Sequence, residues 1–244
     1  MKFTAIIQAR MGSTRLPGKI FLPLAGRPLL AHAVERVARA QSIDEIVVAT
    51  TTAPADARIA QWAHAKGLRV HRGSEEDVLA RYYSAATRFN ARHIVRITAD
   101  DPFKDPEVID GVVALYTSGS FDFAYNNKPP SFPEGLDVEV FSLKALAAAF
   151  QETCDPYDRE HVTPYLYNHP DRFQQANLAY PEDISHLRWT IDTTLDYRMA
   201  TEVYTNLDKG GNPFLMQDIL LFLKHNPQVA EINRHVARSA MYVG

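Results

Sequence analysis

The sequence predicts an α/β fold: a doubly wound, mostly parallel sheet with helices on both faces. Two observations predict this class. Short apolar runs alternate with longer segments whose apolar residues recur at helical spacing, which is the order expected of strands joined by helices. Several of the apolar runs are followed directly by charged or hydroxyl-bearing residues, and ligands bind beyond the carboxyl ends of strands in such sheets.

The predicted elements follow one another regularly along the chain. Strands are predicted at residues 3–7, 43–50, 68–71, 93–98, 121–126, 136–141 and 187–191. Helices are predicted at residues 28–40, 56–65, 74–90, 105–117, 142–150, 195–207 and 213–224. Asp105 and Ser142 are predicted N-caps, and Ser74 followed by Asp77 has the spacing of a capping box.

The composition argues against several classes of partner. A net charge of −3 over 244 residues gives no reason to expect a nucleic acid or a membrane surface. No apolar run approaches the ~20 residues of a membrane-spanning helix. The single cysteine, Cys154, excludes a disulfide within the chain and is expected to be a small apolar residue of the core. We therefore expect a cytoplasmic protein with one domain, residues 1–244.

The stretch 8–19, which follows the first predicted strand, is rich in cations. It reads Gln-Ala-Arg-Met-Gly-Ser-Thr-Arg-Leu-Pro-Gly-Lys, and its cations are Arg10, Arg15 and Lys19. Gly12 and Ser13 add a flexible turn with backbone and hydroxyl donors. Such a loop suits a polyphosphate, although a plain polar loop facing water would carry the same residues. The Walker spacing and the dinucleotide fingerprint are both absent, which disfavours a dehydrogenase.

Acidic residues follow two of the predicted strands. Asp100 and Asp101 come after strand 93–98, and Asp192 comes after strand 187–191. Adjacent carboxylates repel one another unless a cation lies beside them. Mg²⁺ is the natural candidate, because one or two carboxylates usually hold it together with phosphates and water. Asp192 can equally be the N-cap of the helix that follows.

Together these stretches resemble the cytidylyltransferases that activate acidic sugars, a superfamily that includes the CMP-ulosonate and CMP-acylneuraminate synthetases. The resemblance is carried by residues 8–19, by Ala-Asp-Asp-Pro at 99–102, by Ile-Asp-Thr at 191–193, by Pro-Glu-Gly-Leu-Asp-Val-Glu-Val-Phe-Ser at 133–142 and by Glu-His-Val-Thr-Pro-Tyr at 160–165. The last two are similar to the spore-coat-polysaccharide branch. The resemblance implies a Rossmann-like sheet of the nucleotide-diphospho-sugar transferase type with a small β arm.

In that family the opening loop wraps the triphosphate of CTP, and the resemblance assigns roles accordingly. It implies that the nucleotide is bound by Ala9, Arg10, Gly12, Ser13, Lys19, Ser74 and Asp77. It implies that the catalytic cations are Arg10, Arg15 and Lys19. Asp100 and Asp192 would hold Mg²⁺, and Asp196 would help a helix to start. An acceptor and dimerisation region at 126–180, with a proline-rich loop at 126–135, would supply acceptor contacts at Lys128, Glu139, Arg159 and His161.

The implied reaction is attack by an acceptor oxygen on the α-phosphorus of CTP, with release of pyrophosphate. The acceptor is expected to be acidic, either a ulosonic or sialic-type sugar or a phosphate or phosphonate, and the protein is expected to be a homodimer. Two alternatives stay open. In a metal-dependent nucleotide-sugar glycosyltransferase Asp100 and Asp101 would be the diphosphate–metal motif, although such enzymes lack this cationic loop. A non-catalytic nucleotide-binding homologue would bind CTP without turnover.

Overall fold

The computed structural model describes residues 1–210, 213–239 and 242. The strands are β1 (Phe3–Gln8), β2 (Pro23–Leu24), β3 (Arg27–Pro28), β4 (Glu45–Thr51), β5 (Arg69–Gly73), β6 (His93–Thr98), β7 (Phe123–Tyr125), β8 (Glu139–Ser142) and β9 (Gln175–Asn177). The helices are α1 (Leu29–Val37), α2 (Ala57–Ala65), α3 (Val78–Arg88), α4 (Pro106–Thr117), α5 (Leu143–Glu152), α6 (Pro156–His161), α7 (Pro164–Tyr167), α8 (Thr194–Leu207), α9 (Met216–His225) and α10 (Pro227–Glu231). Within the described residues, none of these helices is both long and apolar enough to cross a lipid bilayer.

Seven strands form one sheet in the order β5-β4-β1-β6-β8-β7-β9. Strands β5, β4, β1 and β6 run parallel, β8 is antiparallel to both of its neighbours, and β9 is parallel to β7. The prediction of a doubly wound, mostly parallel sheet is confirmed. The strands within residues 126–180, β8 and β9, belong to this sheet, and β2 and β3 form a separate two-stranded ribbon.

Alternate residues of the central strands pack into two cores, one on each face of the sheet. In β1, Ala5 and Ile7 belong to one core and Ile6 belongs to the other. Helices α1, α2, α4, α8 and α9 contribute to the first core, and α3 and α5 contribute to the second. Because both faces are covered, the central strands are apolar throughout. Their carboxyl ends are where polar side chains can gather.

The predicted strand at 187–191 is wrong, because this segment joins no sheet. The N–H of Trp189 donates to the carbonyl oxygen of Glu134 (2.7 Å), and the N–H of Ile191 donates to that of Asp100 (3.0 Å). Both partners lie in loops rather than in a neighbouring strand. The apolar pattern arises because Trp189 and Ile191 are buried in the core.

The predicted strand at 136–141 begins only at Glu139. Before that residue, the side chain of Asn126 takes the place of a neighbouring strand. Its Nδ2 donates to the carbonyl oxygen of Leu136 (2.9 Å), and its Oδ1 accepts the N–H of Val138 (2.8 Å). One buried amide thus satisfies backbone groups that a ladder would otherwise have to satisfy.

The predicted N-caps Asp105 and Ser142 are confirmed. Asp105 accepts the N–H of Glu107 (2.8 Å), and Ser142 caps α5 through the N–H of Ala145. At α3 the cap is Asp77 instead of Ser74, whose hydroxyl accepts the N–H of Asp77.

Cys154 is not the buried residue that the sequence predicts. It is exposed in the loop between α5 and α6. The buried side chain of this loop is the neighbouring Thr153, whose hydroxyl donates to Asp158 Oδ2 (2.6 Å). The loop therefore buries the hydroxyl of Thr153 and leaves the thiol of Cys154 exposed to solvent.

Candidate active site

The loop after β1 is held in place by the side chain of Asp56 and by a hydrogen bond within its own backbone. Asp56 Oδ1 accepts the N–H of Met11 (2.7 Å), and the carbonyl oxygen of Met11 accepts the N–H of Gly18 (3.3 Å). Gly18 has a φ of 69°, a left-handed conformation that glycine adopts without steric cost. The chain then enters a short 3₁₀ turn that begins at Lys19. This turn directs the Lys19 side chain inward.

Lys19 links two segments of the chain that are far apart in sequence. Its Nζ donates to Asp100 Oδ2 (2.6 Å), to Asp192 Oδ1 (2.8 Å) and to the carbonyl oxygen of Ile191 (2.8 Å). Burial by itself lowers the pKa of the Lys19 ammonium, but the two carboxylates outweigh burial and the pKa is raised. Two acids that follow separate segments of the chain therefore meet at one cation.

Asp192 faces two further cations. Its Oδ2 lies 3.0 Å from Arg15 Nη2 and accepts a hydrogen bond from Arg188 Nη2 at 2.8 Å. Burial raises the pKa of the Asp192 carboxyl, but Lys19, Arg15 and Arg188 outweigh it and hold the pKa below its usual value. Asp192 is therefore ionised at neutral pH.

Asp196 lies behind this group and holds the backbone that carries Asp192. Its Oδ2 accepts the N–H of Asp192 (3.0 Å) and of Thr193 (2.9 Å), and its Oδ1 accepts from Arg188 Nε (3.0 Å). Thr193 and Asp196 form a capping box at the start of α8. The prediction that Asp196 helps the helix to start is confirmed.

Two adjoining cavities open beside the carboxyl ends of β1 and β6. The first, of about 290 Å³ and here termed the cation cavity, is lined by the charged residues Arg10, Arg15, Arg81, Arg96, Asp100 and Glu160. The second, of about 260 Å³ and here termed the acidic cavity, is lined by the carboxylates of Asp100, Asp101, Glu134, Asp137, Glu139 and Asp192. Four residues line both cavities, namely Gln8, Arg96, Asp100 and His161.

A larger cavity of about 380 Å³ lies away from these strand ends, between α1 and α8. Two of its three arginines are already engaged: Arg36 donates to the carbonyl oxygens of Phe214 (2.8 Å) and Lys104 (3.3 Å), and Arg27 pairs with Asp208 (3.0 Å). None of the site residues predicted from the sequence lines this cavity. Ligands of this class of sheet bind at the strand carboxyl ends, so the two smaller cavities are the candidate site.

The cation cavity gathers part of the predicted nucleotide-binding and catalytic residues. Ala9, Arg10 and Arg15 line it, and Lys19 reaches Asp100 at its edge. Like Lys19, four further predicted residues are not in its lining, namely Gly12, Ser13, Ser74 and Asp77. Asp77 lies 3.4 Å from Arg159 Nη1 in addition to capping α3.

The predicted acceptor residues divide into two groups. Glu139 and His161 line the acidic cavity, whereas Lys128 and Arg159 do not. Lys128 instead lies over the ring of Tyr167, with 4.9 Å between Nζ and the ring centre. Burial lowers the pKa of the His161 imidazole, so this ring is neutral near pH 7.

Gln8, Arg81 and Arg96 are among the residues lining the cation cavity that received no role from the sequence. Arg81 lies in α3, is 2% exposed and donates to the carbonyl oxygen of Ser74. Arg96 lies in the middle of β6, directly opposite Glu139 of β8. A charged residue inside an apolar central strand was the available signal for Arg96. Arg81 had no such signal, because helices carry arginines on their solvent faces routinely.

The donor set suits a magnesium ion that arrives with a triphosphate. Over residues 1–210, 213–239 and 242, no group of three or more Asp, Glu, His or Cys side chains is arranged to hold a metal. Asp100 and Asp192 nevertheless contact a common cation, Lys19 Nζ, so their oxygens are close enough to share a metal in its place. Two carboxylates, completed by phosphate oxygens and water, are a usual magnesium environment. The residues therefore fit Mg²⁺, provided that Lys19 gives up its position.

Comparison with known proteins decides the family. A family model described as cytidylyltransferase matches residues 4–218. The chain belongs to the cytidylyltransferase family. Members of this family are nucleotidyltransferases, so the resemblance found in the sequence and its assignment to an enzyme class are confirmed.

Individual relatives support the assignment to this family over most of the chain. It is 35% identical to the spore coat polysaccharide biosynthesis protein SpsF of Bacillus subtilis, over 92% of this chain and 95% of that protein. A 3-deoxy-manno-octulosonate cytidylyltransferase of Geobacter sulfurreducens is 41% identical over 116 residues, which is 47% of this chain and 45% of the relative. The solved structure of a cytidylyltransferase from Leptospira borgpetersenii matches with a TM-score of 0.90 and 33% identity, over 98% and 99% of the two chains.

Proposed function

We propose that this cytidylyltransferase transfers CMP from CTP to an acidic acceptor and releases pyrophosphate. The observation that carries the proposal is the pair of adjoining cavities with opposite charge, which share Asp100 beside the Lys19 ammonium. A triphosphate suits the first cavity and a hydroxylated acceptor suits the second. The shared wall is then where the α-phosphorus and the attacking oxygen meet.

The cations of the first cavity have a direct role in this scheme. Arg10, Arg15 and Arg81 present guanidinium groups, which form strong charge-assisted hydrogen bonds with phosphate oxygens. Lys19 adds an ammonium that can move from the carboxylates to the leaving phosphates. Phosphoryl transfer depends mainly on positioning and on neutralising charge, and these four residues supply both.

Asp100 and Asp192 would hold Mg²⁺ in this scheme. The bound metal would withdraw charge from the α-phosphate and help to align it with the acceptor. Asp192 is suited to the task because it stays ionised and because Asp196 holds its backbone. Arg188, which donates to both Asp192 and Asp196, keeps the carboxylate oriented.

In the reaction step, the acceptor hydroxyl oxygen forms a bond to the α-phosphorus while the bond from that phosphorus to the α,β-bridging oxygen breaks. Pyrophosphate leaves with the electron pair, and the hydroxyl gives up its proton. Of the four residues that line both cavities, His161 is the one whose neutral side chain can accept that proton. We assign it this role within the proposal.

The test is pyrophosphate release with Mg²⁺, crossing four nucleoside triphosphates with ulosonic acids, sialic acids, phosphoglycerates and phosphonates. Release with CTP and an acidic acceptor is expected, and Asp192→Asn should abolish most of it. Release of a nucleoside diphosphate from a nucleotide sugar would favour a glycosyltransferase. CTP binding without turnover over the whole panel would favour a non-catalytic homologue. The cytoplasmic location and the homodimer stay predictions, and light scattering tests the latter.

A further inference from the structure

The cavity between α1 and α8 contains a buried arginine that no carboxylate neutralises. Arg36 lies in α1, is 4% exposed and lines this cavity of about 380 Å³. Its Nε donates to the hydroxyl of Tyr204 (3.3 Å), and its terminal nitrogens donate to the carbonyl oxygens of Lys104 (3.3 Å) and Phe214 (2.8 Å). The guanidinium also lies over the ring of Phe214, 4.4 Å from its centre. All of these partners are electrically neutral.

The guanidinium of Arg36 still has hydrogen bonds to offer. Three of its five N–H groups are used by these contacts, and the other two have no acceptor among the described residues. Residues 211 and 212, which lie outside the described ranges, are glycine and asparagine, so neither can add a carboxylate. A buried charge is normally paired with an opposite charge, because water no longer stabilises it. An anionic ligand in the cavity would supply both the charge and the acceptors.

A second arginine of the lining also has no carboxylate partner. The charged side chains of the cavity are three arginines, Arg27, Arg36 and Arg39, and two carboxylates, Glu35 and Asp208. Both carboxylates contact Arg27, and within the described part of the chain neither Arg36 nor Arg39 forms an ion pair. Arg39 follows Arg36 by three residues at the end of α1, a spacing that puts two side chains on the same side of a helix. Two guanidinium groups are therefore available together.

These two arginines indicate the class of the ligand. Guanidinium groups form strong, charge-assisted hydrogen bonds with phosphate oxygens. A carboxylate has two oxygens, which the two remaining N–H groups of Arg36 would use up. A phosphate group has a third oxygen for Arg39, and its charge of about −1.5 to −2 near neutral pH matches two guanidinium groups.

The rest of the cavity leaves room for more than the phosphate itself. Its volume of about 380 Å³ lies within the range of small-molecule sites. The rings of Tyr204 and Phe214, whose centres are 4.9 Å apart, form an aromatic part of the lining. The organic part of a phosphate ester could pack there.

We propose that the cavity between α1 and α8 is a second ligand site, which binds the phosphate group of a small molecule through Arg36 and Arg39. It shares no lining residue with the cation cavity or the acidic cavity. The ligand would also stabilise the fold, because Arg36 and Tyr204 attach α1 and α8 to residues 102–104.

The test measures phosphate binding away from the candidate active site. The protein is the full chain with Arg10→Gln and Arg15→Gln, which removes two cations of the cation cavity. Isothermal titration calorimetry compares inorganic phosphate, glycerol 3-phosphate and acetate. We expect one molecule of either phosphate compound per chain, weaker binding of acetate, and a Tm that rises with the phosphate concentration. Tighter binding of glycerol 3-phosphate would identify an ester as the ligand, and tighter binding of inorganic phosphate would identify the free ion.

Three further substitutions, each added to this protein, locate the bound phosphate. Arg36→Met should weaken binding by about 10- to 150-fold, the range for a hydrogen bond to a charged group. Arg39→Gln changes an exposed side chain, which puts folding at little risk, and should weaken binding by about fivefold, as expected for one charge near water. Arg198→Gln is the matched control, because it removes an exposed arginine of α8 that does not line the cavity, and should leave binding unchanged.

Unchanged phosphate affinity in folded Arg36→Met and Arg39→Gln proteins would overturn the inference. So would acetate that binds as tightly as phosphate, or the absence of both heat and a Tm shift with either phosphate compound. If Arg36→Met does not fold, Arg39→Gln against Arg198→Gln decides. No nucleotide or acceptor enters this experiment, so its result is independent of the proposed cytidylyl transfer.

Discussion

Replacing Asp196 by asparagine should destabilise the fold although the two side chains have nearly the same shape. Asp196 is 0% exposed, and its oxygens accept hydrogen bonds from Arg188, Asp192, Thr193 and Asn233. Whichever way an asparagine amide is turned, its NH₂ group faces N–H donors that need an acceptor. Arg188 also loses one of its buried anions.

The expected size of this effect follows from the partners that remain. Removing one member of a buried ion pair costs about 3–5 kcal/mol, and Arg188 keeps Glu134 at 2.7 Å, so we expect the lower end, about 3 kcal/mol. In a domain of roughly this size each kcal/mol lowers Tm by about 2–4 °C, which gives a decrease of about 6–12 °C. Circular dichroism during thermal unfolding of the ligand-free enzyme measures it.

Asp192→Asn is the matched control, because it changes the neighbouring carboxylate that faces the cavity instead of the core. It should lower Tm by less than half as much while removing most of the pyrophosphate release. If Asp196→Asn lowers Tm by less than about 2 °C, which corresponds to under 1 kcal/mol, the buried network does not hold the start of α8 as argued.

Three further outcomes are expected. Lys19→Met should lower kcat by about 10²- to 10³-fold in the pyrophosphate assay at saturating CTP, because it removes a cation aimed at the developing charge; a wild-type kcat would contradict this. Burial lowers the pKa of His32 below its unfolded value, so the stability it contributes is present above about pH 6.5 and is lost as the pH falls below it. In urea unfolding at about pH 7.5 and 5.5, His32→Gln should therefore lose less stability on acidification than the wild type, and equal losses would argue against His32. Gly135→Ala should cost at least about 1–3 kcal/mol in the same assay, since φ is 108° and an added Cβ would lie 2.6 Å from the backbone nitrogen of Thr190; an unchanged midpoint would refute the clash.

The sequence predicted the sheet well because its central strands are buried on both faces. Their apolar runs and the helical spacing between them record that environment directly. The prediction failed where a side chain or a loop replaces a strand as the hydrogen-bonding partner. Asn126 does so for residues 136–138, and Glu134 and Asp100 do so for residues 187–191. A buried strand and a buried segment that bonds to a side chain or a loop have the same apolar pattern. The pattern alone therefore cannot distinguish the two.

In the candidate active site, too, some features could be predicted from the sequence and others could not. Asp100 and Asp192 could be predicted because acids at the ends of apolar segments have few structural uses, and the structure brings both to Lys19. Arg96 could not be assigned a partner from the sequence, because its ion pair depends on the order of strands. Only the insertion of β8 beside β6 sets Glu139 opposite it.

The two cavities also draw on different parts of the chain, and this has a consequence for specificity. The cation cavity is lined mostly by residues 8–100, whereas residues 127–192, together with Ser239 and Tyr242, supply most of the acidic cavity. Substitutions in the second region can therefore reshape the acceptor pocket while leaving the phosphate-binding cations untouched. Gln8, Arg96 and Asp100 are the exceptions, since they belong to the first region by sequence and line both cavities. A change of acceptor that leaves CTP binding intact should thus come from substitutions in the second region, because substitutions at the three shared residues would alter both cavities at once.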